Sequence, residues 1–379
     1  MKVDIRIASG TIIDPQRCIH EKGDVLIRGN RIVEASEAEV IEAEKVINAE
    51  GCLVFPGLID FHAHIFPFGT EMGIQPDVSM LPVGVTTVVD GGSCGTANYE
   101  SFLRSVVPVN KLRIFSLLNV CPAGLLTSRY HEQVDPRYYD EAKICELLAE
   151  YPQQLLGLKI RQSKDIVGEL GIRPLEATLK IADKVGCPVV VHTTNPPVTT
   201  EKIAEMLRSG DVFCHVHQGT GETILGVDGK VKSALFEAQK RGVVFDAANG
   251  RNHFSFPLAR QALSEGFLPN IISSDITAKT VFGDYVFGLP YVLTKYLALG
   301  MDLPTVIAAC TSVPAGWMGM SGKIGTLAPG AYADVAIFRR SSQSLVVKDN
   351  FGHSVTAEGC LVPQATILNG KVVFRQIEF

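Results

Sequence analysis

Histidine, lysine and aspartate recur at the ends of apolar segments, where their types and spacing suit metal-assisted chemistry. The stretch Asp60-Phe61-His62-Ala63-His64 closes an apolar run at 53–60. In an extended segment side chains two apart share a face, so His62 and His64 point together, and two imidazoles on one face suit a transition metal such as Zn²⁺. In Leu155-Leu156-Gly157-Leu158-Lys159-Ile160-Arg161, alternation puts Leu155, Gly157, Lys159 and Arg161 on one face. The other face, Leu156, Leu158 and Ile160, is wholly apolar and should pack on helices, which turns Lys159 inward. A lysine there needs a partner or must lose its charge; on a surface strand its amine would simply reach water. Val189-Val190-Val191-His192 ends a run of valines typical of a strand buried on both faces, and His192 reads either as a core residue or as a ligand. Val212-Phe213-Cys214-His215-Val216-His217 places His215 and His217 on one face, and Asn270-Ile271-Ile272-Ser273-Ser274-Asp275 ends in an aspartate that is expensive to bury unless it binds a metal or accepts hydrogen bonds.

The elements that must position these groups follow from the pattern around them. Eight buried strands are expected at 53–60, 86–91, 113–119, 154–161, 188–193, 212–217, 243–247 and 270–275. Amphipathic stretches such as 173–185 and 199–209 separate them, and Gly186, Gly210 and Gly242 stand where helices should end. Eight βα units predict a TIM (β/α)8 barrel over 52–322, whose catalytic groups come from the C-terminal ends of its strands. An open doubly wound sheet is the competitor, but neither G-x-G-x-x-G nor a P-loop follows the first strand. On the barrel, the metal-ligand residues of the first, fourth, fifth, sixth and eighth strands fall on a single rim. Each has a bland reading alone; their coincidence points to a metal site.

Residues 1–51 and 323–379 share a different texture of short strands, at 3–7, 23–28, 31–35, 334–338, 365–368 and 371–375. Gly29-Asn30 and Asn369-Gly370 read as two-residue hairpin turns. The two ends are expected to pair into one small β-sandwich domain; two unrelated flanking hairpins are the plainer alternative.

The 379 residues are 46% hydrophobic and 20% charged, with net charge −5. This excludes a disordered chain and argues against a basic nucleic-acid-binding surface. No apolar run approaches the roughly 18 residues of a membrane span. The nine cysteines are scattered, odd in number and never in C-x-x-C, as expected of reduced thiols in a cytoplasmic protein. The start, Met1-Lys2-Val3-Asp4-Ile5-Arg6-Ile7, alternates like a strand and lacks the features of a signal peptide.

The motifs resemble the amidohydrolase superfamily, in its dihydroorotase-like branch and its group of bacterial metal-dependent deacetylases. Pro56-Gly57-Leu58-Ile59-Asp60-Phe61-His62-Ala63-His64 looks like the family's first-strand signature, and Gly325-Thr326-Leu327-Ala328-Pro329-Gly330-Ala331-Tyr332-Ala333-Asp334 like its turn back into the β domain. The resemblance implies two divalent metal ions. His62, His64 and Asp275 would hold the first, His192 and His215 the second, and Lys159 would bridge both as a carbamate formed with CO₂. Histidine and carboxylate ligands with open positions suit Zn²⁺, and also Mn²⁺, Fe²⁺ or Co²⁺. The implied chemistry is attack by a metal-bridging hydroxide, with Asp275 as general acid and base.

The chain departs from that pattern at three places. Strand six offers two histidines; Cys214-His215-Val216 resembles the dihydroorotase motif, which leaves His217 to support the site or bind substrate. Cys94, in Asp90-Gly91-Gly92-Ser93-Cys94, resembles the bridging cysteine of N-acyl-D-amino-acid deacylases, but Lys159 already stands at the bridging position, so Cys94 is either a site residue or an inert thiol. Phe66 stands where dihydroorotases carry an arginine. Arg161 offers a replacement grip on a carboxylate, unless a neighbour such as Asp165 neutralises it, and Arg251 or His253 in the polar segment 249–254 could bind substrate. The expectation is a hydrolase that removes an acyl group, most simply acetyl, from a small carboxylate-bearing molecule. A cyclic-amide hydrolase, a mononuclear deaminase and a non-catalytic relative are the alternatives. The apolar stretch 283–301 could pack on the barrel or on a second copy of the chain in a homo-oligomer.

Overall fold

The computed structural model of the chain describes residues 1–36 and 40–379. Residues 37–39, within the expected N-terminal β segment, lie outside the described residues. Seven parallel strands run in chain order around a barrel: Leu58–Ala63, Val85–Asp90, Arg113–Asn119, Leu155–Arg161, Val189–His192, Val212–Cys214 and Val244–Asp246. The eighth expected strand, 270–275, is not a regular ladder. Its place is closed by two isolated parallel bridges, Asp246 to Ile271 and Ala63 to Ile276, and by the bond from Asp275 N to His62 O at 2.7 Å. Asp275 has a positive φ of 48°, which interrupts the extended backbone between the Ile271 and Ile276 bridges.

The first strand also differs from expectation. The stretch 53–60 is two strands divided at Gly57. Leu53–Pro56 pairs antiparallel with Val335–Arg340 in the outer sheet, and the barrel strand begins at Leu58. A Cβ at Gly57 would lie 2.2 Å from Thr86 Oγ1, so the crossing between sheet and barrel is only wide enough for glycine.

The outer sheet takes strands from both ends of the chain. Leu53–Pro56 joins the N-terminal strands Lys2–Asp14, Ile19–Arg28, Arg31–Val33 and Glu42–Asn48 to the C-terminal strands Val335–Arg340, Leu361–Leu368 and Lys371–Arg375. It is one hydrogen-bonded sheet rather than two, with a register shift in its first strand between Ile7 and Gly10. Ile5, Ile27, Val54, Val335, Ile337 and Ile367 gather in its apolar core. A separate hairpin, Leu345–Lys348 with Ser354–Ala357, leaves this sheet. Its turn reaches the barrel loops: Asp349 accepts a bond from Phe256 N at 2.9 Å, and Asn350 donates to Asn252 at 2.6 Å.

Inside the barrel, Ile59, Phe61, Val89, Val190, Val212 and Ile271 form the core. Leu158, Ile160, Val189 and Val191 pack outward with the helices, which leaves Lys159 and His192 facing in. The alternation expected along 155–161 fails at its start. Leu155 packs with the outer cluster and Leu156 against the inner one, because the pairing register slips between 116/155 and 118/158. The helix Arg173–Val185 matches expectation and stops at left-handed Gly186. Thr200–Met206 is shorter than expected, so Gly210 is not its cap. Leu289–Ala298, inside the apolar stretch, buries Leu289, Val292, Leu293 and Tyr296 against the barrel core.

Candidate metal centre and active site

The expected ligand residues converge at the C-terminal mouth of the barrel. His64 Nε2 lies 3.3 Å from Asp275 Oδ1, and His62 Nε2 lies 3.7 Å from the same oxygen. The His192 and His215 rings are 4.3 Å apart by centroid. Lys159 Nζ lies 3.3 Å from His62 Nε2. Among the described residues three groups could each hold an ion: His62, His64 and Asp275; His192, His215 and His253; and His62, Cys214 and His215. All five histidines and Asp275 line or adjoin one cavity of about 210 Å³, together with Arg161, Arg251 and Lys279.

The backbone sets each imidazole. Strand six ends at Cys214, whose side chain faces the barrel core, so simple alternation would send His215 outward. A left-handed φ of 70° at His215 turns it back into the mouth. Such strain on a non-glycine residue persists only where surrounding structure enforces it, and it clusters at functional sites. The price falls on His217. It sits two residues past the turn, fully buried, with Nδ1 at 2.9 Å from the Tyr296 hydroxyl, and it does not line the cavity. Its expected role beside substrate is therefore corrected: it belongs to the packing behind the pocket.

Hydrogen bonds fix three tautomers alike. His215 Nδ1 donates to Ala248 O at 2.7 Å. Ser93 Oγ donates to Asp90 Oδ2 at 2.8 Å, so it accepts from His64 Nδ1 at 2.9 Å. His62 Nδ1 faces Cys214 Sγ at 3.0 Å. With each Nδ1 occupied, each Nε2 lone pair is left for the mouth, the usual arrangement of a metal-ligating histidine. Burial pulls His62, His192 and His215 well below the ordinary histidine range, and His253 to about 4, so all four are neutral donors. His215 Nε2 is buried and, among the described residues, has no hydrogen-bond partner, which costs about 1–3 kcal/mol unless something occupies it. Lys159 is 2% exposed and, among the described residues, no carboxylate pairs with it. An orphaned lone pair, neutral imidazoles and the Asp275 carboxylate make a donor set that fits divalent cations.

The glycines of Asp90-Gly91-Gly92-Ser93 make room for this cluster. A Cβ at Gly91 would lie 2.3 Å from the His62 ring, and one at Gly92 would lie 2.5 Å from Lys159 Cγ. Asp90 accepts from Ile65 N, Gly92 N, Ser93 N and Ser93 Oγ, tying the first two strands together. Cys94, one residue on, packs in the outer apolar cluster and is neither among the ligand groups nor in the cavity wall. Its expected site role is corrected: the motif serves the site through Asp90 and Ser93.

Solved structures and relatives resemble this chain over most of its length. A deacetylase of Brucella anthropi is 30% identical over 328 residues, 86% of this chain and 81% of that one. The chain belongs to the amidohydrolase superfamily. A deacetylase of Enterococcus faecalis is 29% identical, covering 92% of this chain and 98% of that protein, and residues 297–374 match the profile of the Amidohydrolase family. A crystal structure of an adenine deaminase superposes with a TM-score of 0.90 at 28% identity, over 99% of this chain and all of that one. A dihydroorotase structure gives 0.87 at 28%, over 97% and 98%.

Sequence reasoning missed several members of the site. Arg161 pairs with Glu132 at 2.7 Å, not with Asp165, and Glu132 is 3% exposed. Glu132 lies in the irregular loop 120–135, where no periodicity announces it. Asp246, on the seventh strand, accepts from Ser273 Oγ at 2.7 Å and lies 3.4 Å from Cys214 Sγ. Asp60 accepts from Ser274 N and from Ser274 Oγ. Burial holds both carboxyls above the ordinary range, Asp246 at about 6 and Asp60 at about 7. Both were visible only as polar residues inside apolar runs. His253, with Nδ1 at 2.7 Å from Thr194 Oγ1 and Nε2 at 3.7 Å from Asp275 Oδ2, reaches the mouth as one of the expected options. Phe66 packs on the Phe102 ring at 5.5 Å and does not line the cavity.

Proposed function

We propose that this chain is a metal-dependent hydrolase that removes an acyl group, acetyl in the first instance, from a small molecule bearing a carboxylate. The observation that carries the reading is the convergence of His62, His64, His192, His215, Asp275 and Lys159 on one cavity whose wall also holds Arg161. His62, His64 and Asp275 would hold one divalent cation and His192 and His215 a second, with Zn²⁺ best matched to the donors. Bound there, the two cations would make hydroxide available near neutral pH and polarise the scissile carbonyl.

The chain's own groups do the rest. Lys159 would join the donor set as the carbamate formed with CO₂, the proton released on N–C bond formation passing to solvent. Asp275 takes the proton lost by the attacking water and returns it to the leaving nitrogen or oxygen. Its carboxyl is held below the ordinary range because, against the upward push of burial, the His64 hydrogen bond and the neighbouring imidazoles favour the anion. Arg161, held by Glu132, presents its remaining N–H groups to the substrate carboxylate. A small substrate suits a cavity of about 210 Å³.

The likeness to a dihydroorotase favours ring opening of a cyclic amide as the second reading. Both are tested together. Undialysed protein is analysed for transition metals, and N-acetyl and O-acetyl carboxylic acids, dihydroorotate, hydantoins and adenine are offered in parallel. About two metals per chain, lost in Lys159→Ala, with acetate released, is the expected result. Ring opening without acetate release moves the reading to a cyclic-amide hydrolase. Ammonia from adenine, with one metal indifferent to Lys159, overturns both.

A further inference from the structure

Lys295 stands on the helix Leu289–Ala298 and is fully buried. Its amine lies 2.7 Å from the carbonyl of Tyr285 and 3.3 Å from Asn249 Oδ1, and 4.5 Å from the centroid of the Phe254 ring. Among the described residues no carboxylate forms an ion pair with it. A fully buried lysine is costly, and no step of the hydrolysis above uses this one.

Its two acceptors belong to different loops. Asn249 opens the loop after the seventh strand, and Arg251, Asn252 and His253 of that loop line the cavity. Tyr285 lies in the loop after the eighth segment, and Thr277, Lys279 and Thr280 of that loop line it too. The helix itself contributes nothing to the cavity wall. The same junction is closed by Asn249 Nδ2 to the Tyr296 hydroxyl at 3.3 Å and by that hydroxyl to His217 Nδ1 at 2.9 Å.

We propose that Lys295 is a positioning residue that holds the loops 249–255 and 277–287 to each other, and so sets where His253, Arg251 and Lys279 stand around the substrate. The proposal rests on the cavity being the active site. A neutral lysine amine keeps two N–H groups, so the link survives in either protonation state.

Amide hydrogen exchange on the metal-loaded protein without substrate tests this independently of any assigned reaction. In Lys295→Met, which keeps the apolar stem and removes both bonds, amides in 249–255 and 277–287 should exchange faster by at least about tenfold. The strands Leu58–Ala63 and Leu155–Arg161 should be unchanged. Unaltered exchange in both loops overturns the proposal, as does an acceleration shared equally by the strands, which would mean a general packing defect. If Lys295→Met does not fold, Asn249→Ala removes one acceptor, leaves the lysine in place and is read the same way. With an acyl substrate in hand, KM should rise more than kcat falls. Loop exchange that responds while no substrate is turned over would retain the link and count against the hydrolase reading alone.

Discussion

His64 gives its Nδ1 hydrogen to Ser93 Oγ at 2.9 Å, and Ser93 passes its own hydrogen to Asp90. The cavity-facing nitrogen of His64 is thus set by a residue that does not line the cavity. Ser93→Ala should weaken metal retention by about tenfold to a hundredfold with little loss of fold. Competition against a chelator measures this, and an unchanged affinity would show that the ring is held by packing alone.

Gly92 has a φ of +87°, and a Cβ there would meet the stem of Lys159. Gly92→Ala should cost about 1–3 kcal/mol of stability and lower metal content together. Thermal unfolding and metal analysis read the two effects. A destabilised variant that still binds its full metal complement would mean that Lys159 tolerates the displacement.

Arg161 and Glu132 form a pair whose acid is buried and whose cation faces the cavity. Arg161→Met should raise KM for a carboxylate-bearing substrate by about tenfold to a hundredfold, the size of one or two lost charge-assisted bonds, and change kcat less. Glu132→Ala should raise KM and also destabilise the fold by about 3–5 kcal/mol, since it breaks a largely buried pair. Steady-state kinetics with acetylated acids and with neutral acetyl esters separates these, because the neutral ester should be indifferent to Arg161.

Burial brings the Lys295 ammonium down to about 7, against a smaller upward pull from Asp349. Released on unfolding, the same lysine keeps its proton up to its ordinary value near 10.5. Between those values the unfolded chain binds more protons than the folded one, so this group makes stability rise with pH. Below about 7 both states are protonated and the penalty of a buried charge is fully present. Relative to Lys295→Met, the wild-type protein should gain up to about 1.4 kcal/mol per pH unit between pH 7 and 10. Urea unfolding at pH 7 and 9 checks it; a constant difference would place the lysine's folded value at the ordinary one.

Where the chain is extended up to its last residue, the site was legible. Lys159 and His192 sit where period-two alternation puts them, and the terminal sheet announced itself through its turns. His62 and His64 share a face as expected, but Ile59 and Phe61 already face inward, and the register shift between Asp60 and Ala63 is what turns the pair into the mouth. Legibility failed where a backbone departs from that period. The left-handed turn at His215 sent His217 behind the pocket, and the register slip at Gly157 exchanged Leu155 and Leu156. It failed too for Glu132 in an irregular loop, and for Lys295, which in sequence is one charge in an apolar helix and shows its two acceptors only when 249 and 285 come together in space.

The strand Leu53–Pro56 finds this partner about 280 residues later in Val335–Arg340. On a ribosome adding about 5–20 residues per second, the early half of the outer sheet waits on the order of tens of seconds with that edge bare. An uncovered edge strand is a template for pairing with other chains. The stretch of time between the birth of these two strands is therefore when the nascent protein is most exposed to mispairing and to capture by holding chaperones, and slowing translation through the barrel should lower soluble yield more than slowing it after Arg340.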